Sequence, residues 1–270
     1  MITKSERYRE VLTVLARHGI GVVDDEFIKH EAGDRARAEH LRRACEDLGT
    51  MFIKLGQALS TRGDLLPDAY RTEVAKLQDE VAPLPANAIA DVIREDLGAS
   101  PDQLFASFDL EPLGSASIGQ VHAARLFDGR DVVLKVRKPR VDELVRIDLE
   151  ILAGLIEEWS PRFPVLQQFD ARGLFREFSD ALRAELDYGR EAANAKFFRE
   201  AFANDHGFKI PDVIEQYSKK RVLVEERVEG QKPSNVADLP KAGRAVVSRR
   251  IARLADKSTI DYRAPPGSGI

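Results

Sequence analysis

The stretch that most limits what this chain can fold into is residues 111–138, EPLGSASIGQVHAARLFDGRDVVLKVRK. Leu113 to Ser117 reads as a strand running into a loop of small residues. Gln120 to Leu126 reads as a second strand and Asp131 to Arg137 as a third. Asp128-Gly129 between the last two predicts a hairpin with a two-residue turn. On the third strand Lys135 shares a face with Val133 and Arg137, while Val132, Leu134 and Val136 point the other way. A lysine facing a cleft, backed by a core, has this alternation. Small residues let backbone N–H groups approach phosphate oxygens, and a nearby lysine adds a point charge. The order strand, small-residue loop, strand, turn, lysine-bearing strand therefore suits a nucleotide-phosphate site. The alternative is a lysine that snorkels from an ordinary half-buried strand.

Composition narrows the class further. A chain of 270 residues predicts about two domains or one large one, and 43% apolar residues suffice for a substantial core. Charged residues make up 32% with a net charge of −4, and no strongly basic domain stands out, which argues against a nucleic-acid binder. The single cysteine, Cys45, excludes an internal disulfide framework and fits a reducing compartment. The N-terminus has no signal-peptide core, and the longest apolar run, Ile151 to Ile156, is too short to span a bilayer. A cytoplasmic location, at most peripheral to a membrane, is expected.

The rest of the chain is mostly helical in pattern. Residues 4–19 carry Val11, Leu12, Leu15 and Ala16 at helical spacing, with Arg7, Arg9, Arg17 and His18 making the helix basic. Such a helix suits an anionic membrane surface or ordinary packing. Residues 33–63 read as one long helix with a stripe of Leu48, Met51, Phe52, Leu55 and Leu59. Lys54 and Gln57 lie on its flank, able to face solvent or reach into a neighbouring site. Further helices are expected from Asp68 to Gln78 and from an N-cap at Asn87 to Leu97, closed by Gly98. After the hairpin, one helix is expected from Pro139 to Glu158 and another from an Asp170 cap to about Ala203. The second carries Asp187 and Glu191 on one face and Glu185 about half a turn away. Pro211 to Gln216 and Arg221 to Arg227 read as strands, Gly230 to Pro240 as a linker and Lys241 to Ala255 as a helix. Residues 256–270 read as a disordered or foreign tail.

Taken together, the motifs resemble those of the UbiB/AarF family of atypical, protein-kinase-like proteins linked to ubiquinone biosynthesis, over about residues 5–255. Lys54-Leu55-Gly56-Gln57 matches the family's KxGQ signature, and Gln78-Asp79 with Pro83 the segment after it. Ser115, Ala116, Ser117, Ile118, Gly119 and Gln120 are similar to its alanine-rich substitute for the kinase glycine-rich loop. Lys135 in VVLKVRKP matches the nucleotide-binding lysine. Glu185-Leu186-Asp187-Tyr188 matches the ExD motif, Glu191 the lysine's partner, and VLVEERVEG the strand and hinge beside adenine.

The resemblance implies an α+β fold. A helical KxGQ extension over 1–108 would precede a kinase-like small lobe over 109–232, the start of a large lobe over 233–256 and a tail over 257–270. It implies ATP or ADP as ligand, Lys135 on the α/β phosphates paired with Glu191, and backbone groups from Glu226 to Val228 against the base. The KxGQ helix would fold over the site, Lys54 meeting the ExD carboxylates with Glu185 as partner, and would restrict access for protein substrates. A lipid or quinone precursor and the face of the inner membrane are the further partners it implies. Three departures stand out. Only Ala116 is an alanine within the loop, and Glu225 stands where an apolar residue more often backs an adenine pocket. The catalytic-loop acid, the metal-binding asparagine and a DFG-like aspartate do not follow Leu254, so Mg²⁺ is expected of the family but its ligands are not among these residues. A chain cut off before its catalytic loop, with little turnover, is the expectation. A non-catalytic module that binds a membrane or a partner is the alternative.

Overall fold

In the computed structural model, residues 2–20, 34–77, 81–162, 167–205, 207 and 209–230 are described. Gln78 and Asp79, the linker, the helix expected from Lys241 and the tail lie outside them. Among the described residues the elements are α1 (Lys4–Arg17), α2 (Asp34–Leu48), α3 (Thr50–Ser60), α4 (Asp68–Val74), α5 (Ala86–Leu97), α6 (Pro101–Leu104), β1 (Ser107–Ser115), β2 (Gly119–Arg125), β3 (Asp131–Arg137), α7 (Val141–Trp159), α8 (Ala171–Glu185), α9 (Tyr188–Ala201) and β4 (Val222–Glu226).

The strands form one antiparallel sheet in the order β1-β2-β3-β4. Its two faces follow the predicted alternation. Val132, Leu134, Val136, Val222 and Val224 are fully buried on one side, against Ile89, Val92 and Ile93 of α5. Those three α5 residues recur at helical spacing, which gives α5 a single apolar stripe to lay on the sheet. Val121, Ala123, Val133, Lys135 and Glu225 are half-buried on the other side, the cleft face. A second core joins Val11 and Val14 of α1, Met51, Phe52 and Ile53 of α3, Val145 and Leu149 of α7, and Leu182 of α8. The apolar stripe of α5 belongs to the sheet's core, and residue 108 lies within β1.

Several expected elements have different bounds. The helix expected over 33–63 is two helices, broken at Gly49, whose φ of 85° suits only a residue without a Cβ. The helix expected from Asp170 to Ala203 is also two. It breaks at Leu186, and Asp187 starts α9 as its N-cap, accepting from the Gly189 N–H at 3.0 Å. Asp187 and Glu191 are therefore cap and first turn, not neighbours on a continuous helix face. Pro85, not Asn87, precedes α5, and α4 stops at Val74. The hairpin loop holds three residues, Phe127 to Gly129, because Leu126 N–H donates to the Arg130 carbonyl and Gly129 N–H to that of Leu126. Pro211 to Gln216 contains only a bridge at Val213 and the start of a short 3-10 turn, Glu215–Tyr217.

Of the arginines of the first helix, Arg7 is turned inward, while Arg9 and Arg17 are exposed. Leu12 is exposed, and the buried positions are Arg7, Val11 and Val14. Arg7 donates from Nε and Nη2 to Asp148 of α7 at 2.7 and 3.0 Å, and from Nη2 to the Leu48 carbonyl at 2.6 Å. One guanidinium thus ties α1, the end of α2 and α7 together. Burial pushes the Asp148 carboxyl above the usual range, and the guanidinium offsets this in part. Arg7→Met leaves Asp148 buried without a counter-charge and is expected to cost about 3 kcal/mol in urea unfolding. Arg7→Met combined with Asp148→Leu is expected to recover most of that loss.

Behind the sheet, His122 is fully buried and stacks on Phe108 with ring centroids 5.1 Å apart. Its Nδ1 donates to the Asp109 carbonyl at 2.9 Å, which leaves Nε2 as acceptor for the Gln120 amide at 3.3 Å. Burial holds this ring below the ordinary histidine range, the Asp109 contact opposing it in part. The unfolded chain then takes up this proton first. The contribution of His122 to stability is complete above about pH 6.5 and is lost as pH falls below it. Urea midpoints measured near neutrality and about two units lower are expected to differ less for His122→Gln than for the unaltered chain.

Candidate functional site: a lysine cleft under the small-residue loop

The cleft face of β3 presents Lys135, and the first turn of α9 presents Glu191. Lys135 Nζ donates to both oxygens of Glu191, at 2.9 and 2.6 Å. The same ammonium lies 4.7 Å from the ring centroid of Tyr188, a residue only 1% exposed. The carboxylate fixes where the ammonium points, and the ring supports it from below. Both charges remain about one-third exposed, 34% and 41%, so the pair stays open to an anionic ligand.

In front of Lys135 is a cavity of about 330 Å³, lined by Ser115, Ala116, Ile118, Gly119, Val121 and Glu185 among others. The loop above it is held by its surroundings. Ile118 is 4% exposed and belongs to the helical core. The Ser115 carbonyl accepts from Val81 N–H at 3.1 Å, that of Ser117 from Thr50 Oγ1 at 3.2 Å and that of Ile118 from Lys138 N–H at 2.8 Å. Ala116 N–H is used within the loop, on the Gly119 carbonyl. A Cβ added at Gly119 would come 2.4 Å from the Tyr188 hydroxyl and 2.8 Å from the Val136 carbonyl, closer than a methyl group tolerates. The loop's one glycine is thus required by the packing beneath it.

The remaining expected residues divide. Lys54 Nζ meets Glu185 Oε1 at 2.5 Å, bringing α3 against the end of α8 beside the same cavity. Gln57 does not enter the site: its amide donates to the Leu77 carbonyl at 3.2 Å, next to Gly56, where Leu77 packs. The Gln120 side chain lies behind the sheet, where Oε1 accepts from Leu84 N–H at 2.6 Å. Glu226 points away from the cleft onto Lys209 at 2.6 Å, and its N–H already serves the Asp212 carbonyl. Val228 is exposed beyond the end of β4.

Two contributors were not anticipated as site residues. Tyr188 floors the lysine. Arg137, two residues from Lys135 and 3% exposed, donates to the Leu186 carbonyl at 2.6 Å, pinning the break between Glu185 and Asp187 to β3. The alternation that placed Lys135 on the cleft face also placed Arg137 there, so its role was available from the strand pattern.

The order of these parts along the chain matches a known domain. Residues 76–263 match the ABC1 atypical kinase-like domain. The chain belongs to the ABC1 atypical kinase-like family. It is 40% identical to "Probable protein kinase UbiB" of Marinobacter nauticus over 225 residues, covering 82% of this chain and 40% of that protein. It is 43% identical to the protein of the same name from Pseudomonas aeruginosa over 197 residues, covering 72% and 36%. The chain thus spans about two-fifths of the length of these curated relatives. Among solved structures, the Rv3197–erythromycin complex from Mycobacterium tuberculosis superposes with a TM-score of 0.50 at 32% identity, covering 77% of this chain and 54% of that one. The ABC1 assignment agrees with the α+β small lobe and its preceding helices.

Gly119→Ala is expected to destabilise the protein by about 1–3 kcal/mol, through displacement of Tyr188 or the β3 backbone. The loss is read as a lower urea midpoint at unchanged slope.

Proposed function

We propose that this chain forms the nucleotide-binding small lobe, with its helical cover, of a UbiB-type atypical kinase or ATPase that serves isoprenoid-quinone (ubiquinone) biosynthesis. The observation that carries the reading is the Lys135–Glu191 contact at the mouth of the cavity beneath the 115–119 loop. An ammonium held by one carboxylate, one-third exposed and facing a cavity lined by small residues, suits phosphate oxygens as its second partner. The cavity's size and its short-side-chain rim fit a phosphate chain. ATP or ADP would be held by Lys135 and the loop, with the base farther along the sheet. Mg²⁺, when bound, would neutralise the phosphates and align them for transfer; among the described residues no cluster of acids is placed to hold it.

The Lys54–Glu185 contact lies at the edge of the same cavity. It supports a role for α3 as a cover that leaves room for a nucleotide and a small lipid-linked substrate but obstructs a polypeptide. Every other member of the KxGQ set serves this placement: Gly56 lets Leu77 pack closely, and Gln57 holds the Leu77 carbonyl.

Calorimetric titration of the 270-residue chain with ATP is the direct test. Binding is expected, weakened at least about tenfold by Lys135→Ala. Unaltered ATP affinity in Lys135→Ala would remove the reading.

A further inference from the structure

A second cavity, of about 530 Å³, lies between α3, α7 and α8. Leu55 and Leu59 of α3, Leu152 and Ile156 of α7, and Phe175 and Phe178 of α8 line it, all half-buried. Leu55, Leu152, Phe175 and Phe178 also pack on the helical core, so the floor is fixed by the fold. The polar lining, Thr61, Arg62 and Glu177, gathers at one end. Lys54, Ala58 and Arg62 follow at intervals of four along α3 and just past its end, and Glu185, Ala181 and Glu177 follow in the reverse sense along α8. Lys54 meets Glu185 at the edge of the phosphate cavity. At the other end Glu177 acts on the Arg62 guanidinium, which donates to both oxygens of Asp64 at 2.9 and 2.7 Å. Between these charged ends the two rows present only the methyl groups of Ala58 and Ala181, both exposed, which border the mouth. The ends are about 12 Å apart along the helix.

An apolar concavity of this size, with its few polar groups gathered at one side, has the form of a small-molecule site. Its half-buried leucine and phenylalanine side chains keep apolar area in water that a hydrocarbon chain would remove. Charge narrows the occupant further. Arg62 is matched by Asp64 and Glu177, and Lys54 by Glu185. An anionic head would therefore meet Glu177 at one end or Glu185 at the other, and a cationic head would meet Arg62 or Lys54. A hydroxyl head meets neither penalty. We propose that this cavity holds the hydrocarbon chain of an uncharged amphiphile, whose hydroxyl head lies at the Lys54–Glu185 contact, one helical turn beyond Ala58 and Ala181. The proposal deepens the nucleotide reading above and rests on it for the position of the head: a hydroxyl there lies beside the phosphates, while its chain lies outside their cavity. The chain site itself stands on the apolar lining.

Calorimetric titration of the full chain with n-hexanol, n-octanol, n-decanol, decanoate and inorganic tripolyphosphate tests the proposal. Alcohol affinity is expected to rise about fourfold with each added methylene. Decanoate is expected to bind at least about tenfold more weakly than n-decanol. Ala58→Phe and Ala181→Phe fill the mouth from exposed helix positions and are each expected to weaken n-decanol by at least about tenfold, leaving tripolyphosphate unchanged. Ala58→Ser, which keeps the mouth open, is expected to bind n-decanol as the unaltered chain does. Affinity that does not grow with chain length, n-decanol binding that survives both phenylalanine variants, or decanoate bound as well as n-decanol overturns the proposal. So does a dimer in sedimentation equilibrium that Ala58→Phe dissociates while n-decanol fails to bind, which would make this face a contact between copies. Alcohol binding with the expected pattern but no tripolyphosphate binding keeps the chain site and overturns the nucleotide reading alone.

Discussion

A single ammonium–carboxylate contact joins the sheet to α9. Lys135 comes from a strand whose other face is packed against α5, and Glu191 from a helix capped by Asp187. Each side chain comes from an element with its own backbone anchors, and Arg137 of β3 also ties the break before α9 to the sheet. The register of β3 is set on both flanks, by β2 and by β4, so the lysine cannot move along its strand without breaking two ladders. The start of α9 is set by the cap and by the Tyr188 N–H, which donates to the Lys220 carbonyl at the entry to β4. The contact is therefore a meeting of two rigid supports, the condition under which a half-exposed pair keeps a defined geometry.

A second layer of contacts joins this pair to the helical half. Arg137 holds the Leu186 carbonyl, Lys54 holds Glu185, and Thr50 holds the Ser117 carbonyl. These three bonds converge from β3 and α3 on the two segments that flank the cavity, the loop and the break between α8 and α9. Arg7, farther out, locks α1 onto α7 with a buried charge pair and so fixes the platform on which α3 rests. In consequence the helical half is a structural component of the cleft and not a separate appendage.

Much of this was legible in the residues. The alternation through Val132, Lys135 and Arg137 gave the two faces of β3 because a strand's period is fixed by its backbone. The KxGQ, ExD and lysine motifs gave the partners Lys54–Glu185 and Lys135–Glu191. The two helix breaks were harder. Gly49 sits within an apolar stripe that continues across it, and periodicity alone does not register a change of direction. At Leu186 the chain turns just before Asp187 and Gly189, which give only a weak local break signal, and Arg137 and Lys220 drawing on its backbone fix the turn. The inward fates of Gln57 and Gln120 were likewise invisible, since each binds a backbone carbonyl or N–H remote in sequence. Local patterns report faces; they do not report which distant peptide group a side chain will serve.

The burial of Ile118 has a thermodynamic effect beyond packing. An aliphatic side chain from the 115–119 loop over the cavity is embedded in the hydrophobic cluster of the helices, and three carbonyls around it are already bonded. The conformational freedom of that stretch is lost when the protein folds, not when a ligand arrives. A flexible glycine-rich flap would have to be ordered by its nucleotide, at a cost in affinity. Here the ceiling of the cavity is rigid beforehand, and its shape is coupled to the stability of a core that lies on the far side of the loop.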